Sequence, residues 1–276
     1  MGPGARFLGV MGIVNVTPDS FSDGGRWMDS QQAIGHAVRL ASDGASCVDV
    51  GGESTRPGAA RVGDAEQIDR VAPVIEGIVR RCGVPVSVDT TRTVVAAAAI
   101  QAGASIINDV AAGDEGETME LAARHHCGLV LMHRLAPPGA DSRSDRYVHP
   151  PGYKDGDVVG DVAEWLEERA RRALGLGVQR ERLWLDPGFG FGKTVEQNFA
   201  LLDGIARIVA LGFPVLLSVS RKSSVGARYD IPDPQARDEP SIALAVSAVA
   251  QGVAVIRAHD VAGHVRALAG GAVARP

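Results

Sequence analysis

Pro85-Val86-Ser87-Val88-Asp89-Thr90-Thr91-Arg92-Thr93-Val94-Val95-Ala96-Ala97-Ala98-Ala99-Ile100-Gln101-Ala102-Gly103-Ala104-Ser105-Ile106-Ile107-Asn108 holds one repeat of the fold. Pro85–Val88 is a short apolar run with two β-branched residues, which suits a buried strand. From about Thr91 to Gln101 an alanine-rich stretch favours helix. Gly103 follows where a left-handed cap ends such a helix. Ser105–Asn108 then reads as a second strand. A strand, a helix and a strand in so short a span imply a parallel pair, because a parallel crossover needs an intervening element.

The same alternation extends in both directions. Further strand candidates are Leu8–Val14, Ser46–Val50, Gly128–Met132, Leu183–Leu185, Pro214–Val219 and Val253–Arg257, each followed by a helical pattern. Ile68, Val71, Ala72, Ile75, Ile78 and Val79 share one face of a helix between the second and third strands. Asp64 with Gln67 predicts a capping box at its start, and Pro73 predicts a kink within it. Helices are expected over about Val159–Leu176 and Val195–Ala210, with Gly177 and Gly212 as further caps. Eight β/α units in 276 residues predict a closed (β/α)8 TIM barrel forming a single domain over residues 1–276. An open doubly wound sheet is the alternative. The stretch at about 134–157, with Pro137, Pro138, Pro150 and Pro151, reads as a long loop after the fifth strand.

Composition excludes several classes. The net charge is −5 and aromatic residues make up 4%, which suits neither a nucleic-acid backbone nor base stacking. No apolar run approaches the ~20 residues of a membrane span, and the N-terminus lacks a secretory leader's apolar core. Cys47, Cys82 and Cys127 stand far apart without C-x-x-C spacing, as reduced thiols do. The expectation is a cytoplasmic enzyme without nucleic-acid or membrane partners.

Barrel active sites lie at the C-terminal strand ends. Here these carry Asn15, Glu53, Asp89, Asn108-Asp109, Met132-His133, Asp186, Ser220-Arg221-Lys222-Ser223 and Arg257-Ala258-His259-Asp260. One such residue would do no more than cap a helix, which is the role expected of Asp260. Eight converging polar ends predict a ligand site. Arg257, His259 and Lys222 suit phosphate oxygens. Asp89, Asn108 and Asp186 suit a flat heterocycle bearing N–H donors. Gly188-Phe189-Gly190-Phe191-Gly192-Lys193-Thr194 mimics a phosphate-binding P-loop, but Pro187 stands where that pattern needs glycine. Its glycines are expected to let the loop approach a ligand. His133 is as readily a packed core histidine as a ligand.

Two long stretches carry a family resemblance. Met11-Gly12-Ile13-Val14-Asn15-Val16-Thr17-Pro18-Asp19-Ser20-Phe21-Ser22-Asp23-Gly24-Gly25 and Asp49-Val50-Gly51-Gly52-Glu53-Ser54-Thr55-Arg56-Pro57-Gly58-Ala59 resemble the two signatures of the dihydropteroate synthases. Ser87–Thr90, Ile107–Val110, Leu131–His133, Asp186–Lys193, Ser220–Ser223 and Arg257–Val261 continue the likeness. It implies condensation of (7,8-dihydropterin-6-yl)methyl diphosphate with 4-aminobenzoate, giving 7,8-dihydropteroate and diphosphate. It further implies Mg²⁺ as cofactor, held by Asn15 with diphosphate oxygens, and a homodimer. Asp89, Asn108, Asp186 and Lys222 would grip the pterin, with Met132 beside it. Arg257, His259 and Arg56 would bind diphosphate. Thr55, Pro57, Phe191 and Ser223 would border the aminobenzoate. The implied chemistry is dissociative, with Asp89, Asp186, Lys222, Arg257 and His259 as the catalytic set. Two departures from the family pattern are Ser224-Val225 in place of a bulky pair and the long loop after His133. A corrinoid-linked pterin methyltransferase barrel shares the Asp, Asn-Asp and Asp-Pro-Gly strand ends but has no need of Asn15 with Arg257 and His259. A non-catalytic pterin-binding homologue is the other alternative.

Overall fold

The computed structural model describes residues 8–16, 25–54, 59 and 61–272. Its strands are β1 (Gly9–Asn15), β2 (Cys47–Gly51), β3 (Val86–Asp89), β4 (Ile106–Asp109), β5 (Gly128–Met132), β6 (Leu183–Asp186), β7 (Leu216–Leu217) and β8 (Val255–Ala258). All pairings are parallel, in the order β6-β5-β4-β3-β2-β1-β8-β7. A single parallel bridge, Leu185 to Val215, joins β6 to β7 and closes the ring. There the Leu185 N–H donates to Pro214 O at 3.0 Å. The TIM barrel expected from the alternation is therefore present, and the open sheet is not.

The outward strand residues, such as Val48 and Val50 of β2, Val86 and Val88 of β3 and Leu129 and Leu131 of β5, are apolar and buried because helices cover that face. The outer face meets α1 (Gly25–Ser42), α2 (Asp64–Arg81), α3 (Thr93–Gln101), α4 (Thr118–His125), α5 (Val158–Gly175), α6 (Val195–Asp203), α7 (Ala206–Val209), α8 (Ser223–Tyr229), α9 (Asp238–Ala250) and α10 (Val261–Ala272). Val71, Val74, Ile75 and Ile78 of α2 are buried in the layer between helices and sheet. Inside the barrel a separate apolar plug of Met11, Cys47, Ile106, Val130, Leu216, Ala254 and Val255, flanked by Trp184, fills the lower end.

Two local expectations need correction. Asp64 and Gln67 do not form a capping box. Gly63 caps α2 without a side-chain bond, Asp64 pairs with Arg92 at 2.8 Å, and Gln67 turns to Val62 O and Glu53. The spacing was right, but both side chains have better partners from other loops. The helix expected over Val195–Ala210 is two, α6 and α7, divided at Gly204. A side chain at Gly204 would come within 2.9 Å of Val159 on α5, so close packing demands glycine there. Pro73, where a kink was expected, lies inside α2.

The stretch at 134–157 contains short 3-10 turns at Pro138–Ala140 and Lys154–Gly156. It is bound to the β6–α6 loop: the Tyr153 hydroxyl donates to Gly192 O at 2.7 Å, and Gly192 N–H donates to Asp141 at 2.9 Å.

Candidate active site

Strand alternation decides what enters the barrel. On β2, Cys47 belongs to the internal plug, so Asp49 and Gly51 point the same way. On β4, Ile106 is below and Asn108 above; on β5, Val130 below and Met132 above; on β8, Val255 below and Arg257 above. The layer above the plug is thereby polar. Asp89, Asn108, Val110, Met132, Asp186, Phe189, Phe191, Ser218, Lys222 and Arg257 line a pocket, partly open to solvent, with about 330 Å³ of empty space. Of the residues expected from sequence, Asp89, Asn108, Met132, Asp186, Phe191, Lys222 and Arg257 meet here.

Arg257 is not a free cation waiting for phosphate. Its Nε donates to Asp49 Oδ2 at 2.7 Å and its Nη2 to Asp89 Oδ2 at 2.9 Å. Asn108 Nδ2 donates to the same Asp49 oxygen at 2.9 Å, which turns the Asn108 carbonyl oxygen the other way. Asp89 Oδ1 and Asn108 Oδ1 are buried without a hydrogen-bond partner, as is Asp49 Oδ1. Buried acceptors are normally paired, so these oxygens mark a place for donors. Burial pushes the Asp89 carboxyl up to about 7; Arg257 opposes the rise and Asp49 adds to it. Burial also raises Asp186, while the Gly188 N–H, Lys222 and Arg257 restrain it. On Arg257, burial opposes the charge, yet Asp49 and Asp89 hold the guanidinium above its usual value.

Asp49 was the residue missed. Its signal was a carboxylate at an inward position of a strand otherwise made of Cys47, Val48, Val50 and Gly51, and in the fold it is fully buried. Asp109, by contrast, is fully engaged by Ala111 N–H, Gly113 N–H and Thr118 Oγ, and so shapes its own loop. Asp260 caps α10 as expected, accepting the Gly263 N–H at 2.9 Å.

On the β7–β8 side, the Lys222 ammonium sits 4.1 Å from the centre of the Phe191 ring. Ser220 Oγ lies 2.9 Å from His259 Nδ1 and accepts the His259 backbone N–H at 3.1 Å, so it orients the ring. Ser223 opens α8 beside Lys222. Arg221 has φ +60, a conformation that costs a non-glycine residue energy. Its bidentate pair with Asp238, at 2.6 and 2.8 Å, holds it there.

Asn15 ends β1 opposite Gly51. A side chain on Gly51 would grow to within 3.9 Å of Asn15 Oδ1 and 3.5 Å of Asp89 Cβ, so the glycine keeps that corner open. No group of three or more His, Cys, Asp or Glu that could hold a metal ion occurs among the described residues. A hard amide oxygen at an open corner fits Mg²⁺, which commonly takes few protein ligands and completes its shell with phosphate and water. Thr55, Arg56 and Pro57 lie outside the described residues.

The β6–α6 loop approaches protein where approach to a ligand was expected. A side chain at Gly188 would collide with His133 O, one at Gly192 would press on Leu135, and one at Gly190 would lie 3.1 Å from Lys222 Cδ. All three glycines have positive φ. Beneath the loop Lys193 is wholly buried, with Nζ 3.1 Å from Gly188 O, 2.9 Å from Phe191 O and 3.0 Å from His133 Nδ1. His133 is thus the packed histidine, edge-on to Trp165 at 5.1 Å. Burial, then the Lys193 charge, push it down to about 2. Asn198 accepts Gly190 N–H at 2.6 Å and offers its amide to Ser144 and Ser224, so both departures from the family pattern meet at one side chain.

The family model described as "Pterin binding enzyme" matches residues 11–259. The dihydropteroate synthase of Streptococcus pyogenes serotype M6 is 43% identical, over 91% of this chain and 90% of that one. The structure of Xanthomonas albilineans dihydropteroate synthase with 4-aminobenzoic acid superposes with a TM-score of 0.88 at 42% identity, covering 98% of this chain and 94% of that one. The same enzyme in complex with 7,8-dihydropteroate gives 0.85 at 39% identity, with coverage of 98% and 95%. With matches of this length and identity, the chain belongs to the pterin-binding enzymes and, among them, to the dihydropteroate synthases.

Proposed function

We infer that the barrel mouth joins (7,8-dihydropterin-6-yl)methyl diphosphate to 4-aminobenzoate, releasing diphosphate. The observation that carries this is the pair of unpartnered buried acceptors, Asp89 Oδ1 and Asn108 Oδ1, on the wall of the 330 Å³ pocket. A pterin ring offers N–H donors to such oxygens, and Asp186 and Lys222 stand on the same wall. Asp49 acts behind them by fixing the Asn108 amide and, through Arg257, Asp89.

The reaction runs by dissociation. The bond between the pterin methylene and the diphosphate oxygen breaks, and its electron pair leaves with diphosphate. Carboxylates at Asp89 and Asp186 offset the charge left on the methylene. The aniline nitrogen then donates its lone pair and loses a proton, which asks for no nucleophile from the protein. His259, oriented by Ser220, faces the departing anion. Asn15 would hold Mg²⁺, whose charge, when bound, favours loss of diphosphate. The three unpaired cysteines support a reducing compartment such as the cytoplasm. No helix among the described residues is long and apolar enough to cross a membrane.

The test measures dihydropteroate and diphosphate with pterin diphosphate, 4-aminobenzoate and Mg²⁺ together, and with each omitted. Product in the complete mixture alone is expected, with activity lost to a chelator and restored by Mg²⁺. Undiminished turnover after chelation overturns the metal requirement.

A further inference from the structure

We propose that Lys193 is a positioning residue for the aminobenzoate half of the reaction: its buried amine ties down the β6–α6 turn that presents Phe191 to Lys222. Lysine is almost never fully buried unless paired, yet Lys193 is 0% exposed and no carboxylate lies among its hydrogen-bond partners. Its Nζ instead lies within hydrogen-bond distance of three uncharged groups, Gly188 O, Phe191 O and His133 Nδ1, and burial pushes the amine down to about 7. Two of those acceptors are the first and last residues of one turn, which the Phe191 N–H closes onto Gly188 O at 3.1 Å.

The turn places its two phenylalanines differently. Phe189 is 1% exposed and belongs to the layer between helices and sheet, where Phe199 meets it edge-on at 6.1 Å. Phe191 packs with Val110 and Met132 at the mouth and carries the Lys222 ammonium on its face. A turn with two positive-φ glycines, Gly188 and Gly190, followed by a third at Gly192, has many alternative conformations, and glycine loses the most freedom on ordering. Lys193 selects one of them from below. Tyr153 and Asp141 of the long loop hold Gly192 from the other side. The placement of the Phe191 ring therefore depends on a buried side chain that lies beneath the loop.

This inference rests on Phe191 bordering the aminobenzoate. Lys193→Met keeps the length of the side chain and removes its donors. It is expected to raise the aminobenzoate KM at least tenfold while the affinity for a pterin lacking diphosphate stays within twofold of wild type. Phe191→Ala should raise the same KM, and adding Lys193→Met to it should change nothing further, because the lysine acts through the ring. A lowered melting temperature with wild-type aminobenzoate KM, or additive effects in the double variant, overturns the proposal. If Phe191→Ala itself leaves that KM unchanged, it is the assignment of Phe191 that fails. His133→Gln disturbs only one acceptor and should show the same split at smaller amplitude. Should Lys193→Met not fold, this variant carries the test, and a wild-type aminobenzoate KM in it overturns the proposal.

Discussion

On the β2–β3–β4–β8 side of the mouth, Asp49, Asp89 and Asn108 are buried around the half-buried Arg257 with acceptor oxygens left over, whereas on the β5–β6 side Lys193 and Asn198 are buried with none of their polar atoms left over. The two groups share burial and strand-end position but not completeness. An incomplete network in a protein interior costs free energy until a ligand completes it, so it belongs to binding. A complete one adds rigidity and belongs to shape. The difference separates residues that touch the pterin from residues that aim them, a distinction residue type alone does not give.

The largest expected effect comes from breaking the incomplete side at its cation. Arg257→Met leaves Asp49 and Asp89 buried without a counter-charge, and removing one partner of such a set typically costs about 3–5 kcal/mol. Denaturant titration measures this. The same variant should also weaken binding of a pterin without diphosphate, because Arg257 holds Asp89 in place. Unchanged affinity for that ligand would assign Arg257 to the phosphates alone.

A smaller effect is expected at Asp89. The free carboxyl titrates at 3.8 and the folded one at about 7. Between these values the folded chain keeps a proton that the unfolded chain has lost, so Asp89 lowers stability as pH climbs from about 4 to about 7. Pterin binding runs the opposite way, because the carboxylate accepts two N–H donors and the acid does not. Affinity should therefore rise from pH 6 to pH 8. In Asp89→Asn that rise should vanish, with affinity at pH 8 lower by about tenfold to a hundredfold, in line with ~1–3 kcal/mol for a spoiled buried hydrogen bond. Calorimetric titrations across this pH range decide it; an identical slope in the variant would place the ionisation elsewhere.

The smallest effect calibrates the comparison with a residue of the same type outside both networks. Asp260→Ala removes only the cap on Gly263 N–H and should cost about 1 kcal/mol of stability with kcat and KM unchanged. A loss of turnover there would give Asp260 a place in the site.

The strands were legible to within about two residues because each is an apolar run bounded by a turn. Of the strand-end residues expected to bind substrate, Asp89, Asn108, Met132, Asp186, Lys222 and Arg257 line the cavity, whereas Asn15, His259 and Ser223 are not among its lining residues. Asp49 escaped notice because it sits inside a strand body, where only the inward parity shared with Cys47 and Gly51 betrays it. The Lys193 knot was illegible for another reason. His133 lies 60 positions away in sequence, and the other two acceptors are backbone oxygens that no residue letter encodes. The Asp64–Gln67 spacing suggested a cap, but Arg92, supplied by the β3–α3 loop, had the stronger claim on the carboxylate.

The single bridge between Leu185 and Val215 makes the barrel a ring with a clasp. β7 spans only Leu216–Leu217, so this is where the hoop has the fewest cross-ties. Asp186 rises from one side of the clasp and Lys222 follows the other, and both line the same cavity. A ligand gripped by both would fasten the hoop at its thinnest point, so that substrate and barrel each keep the other closed.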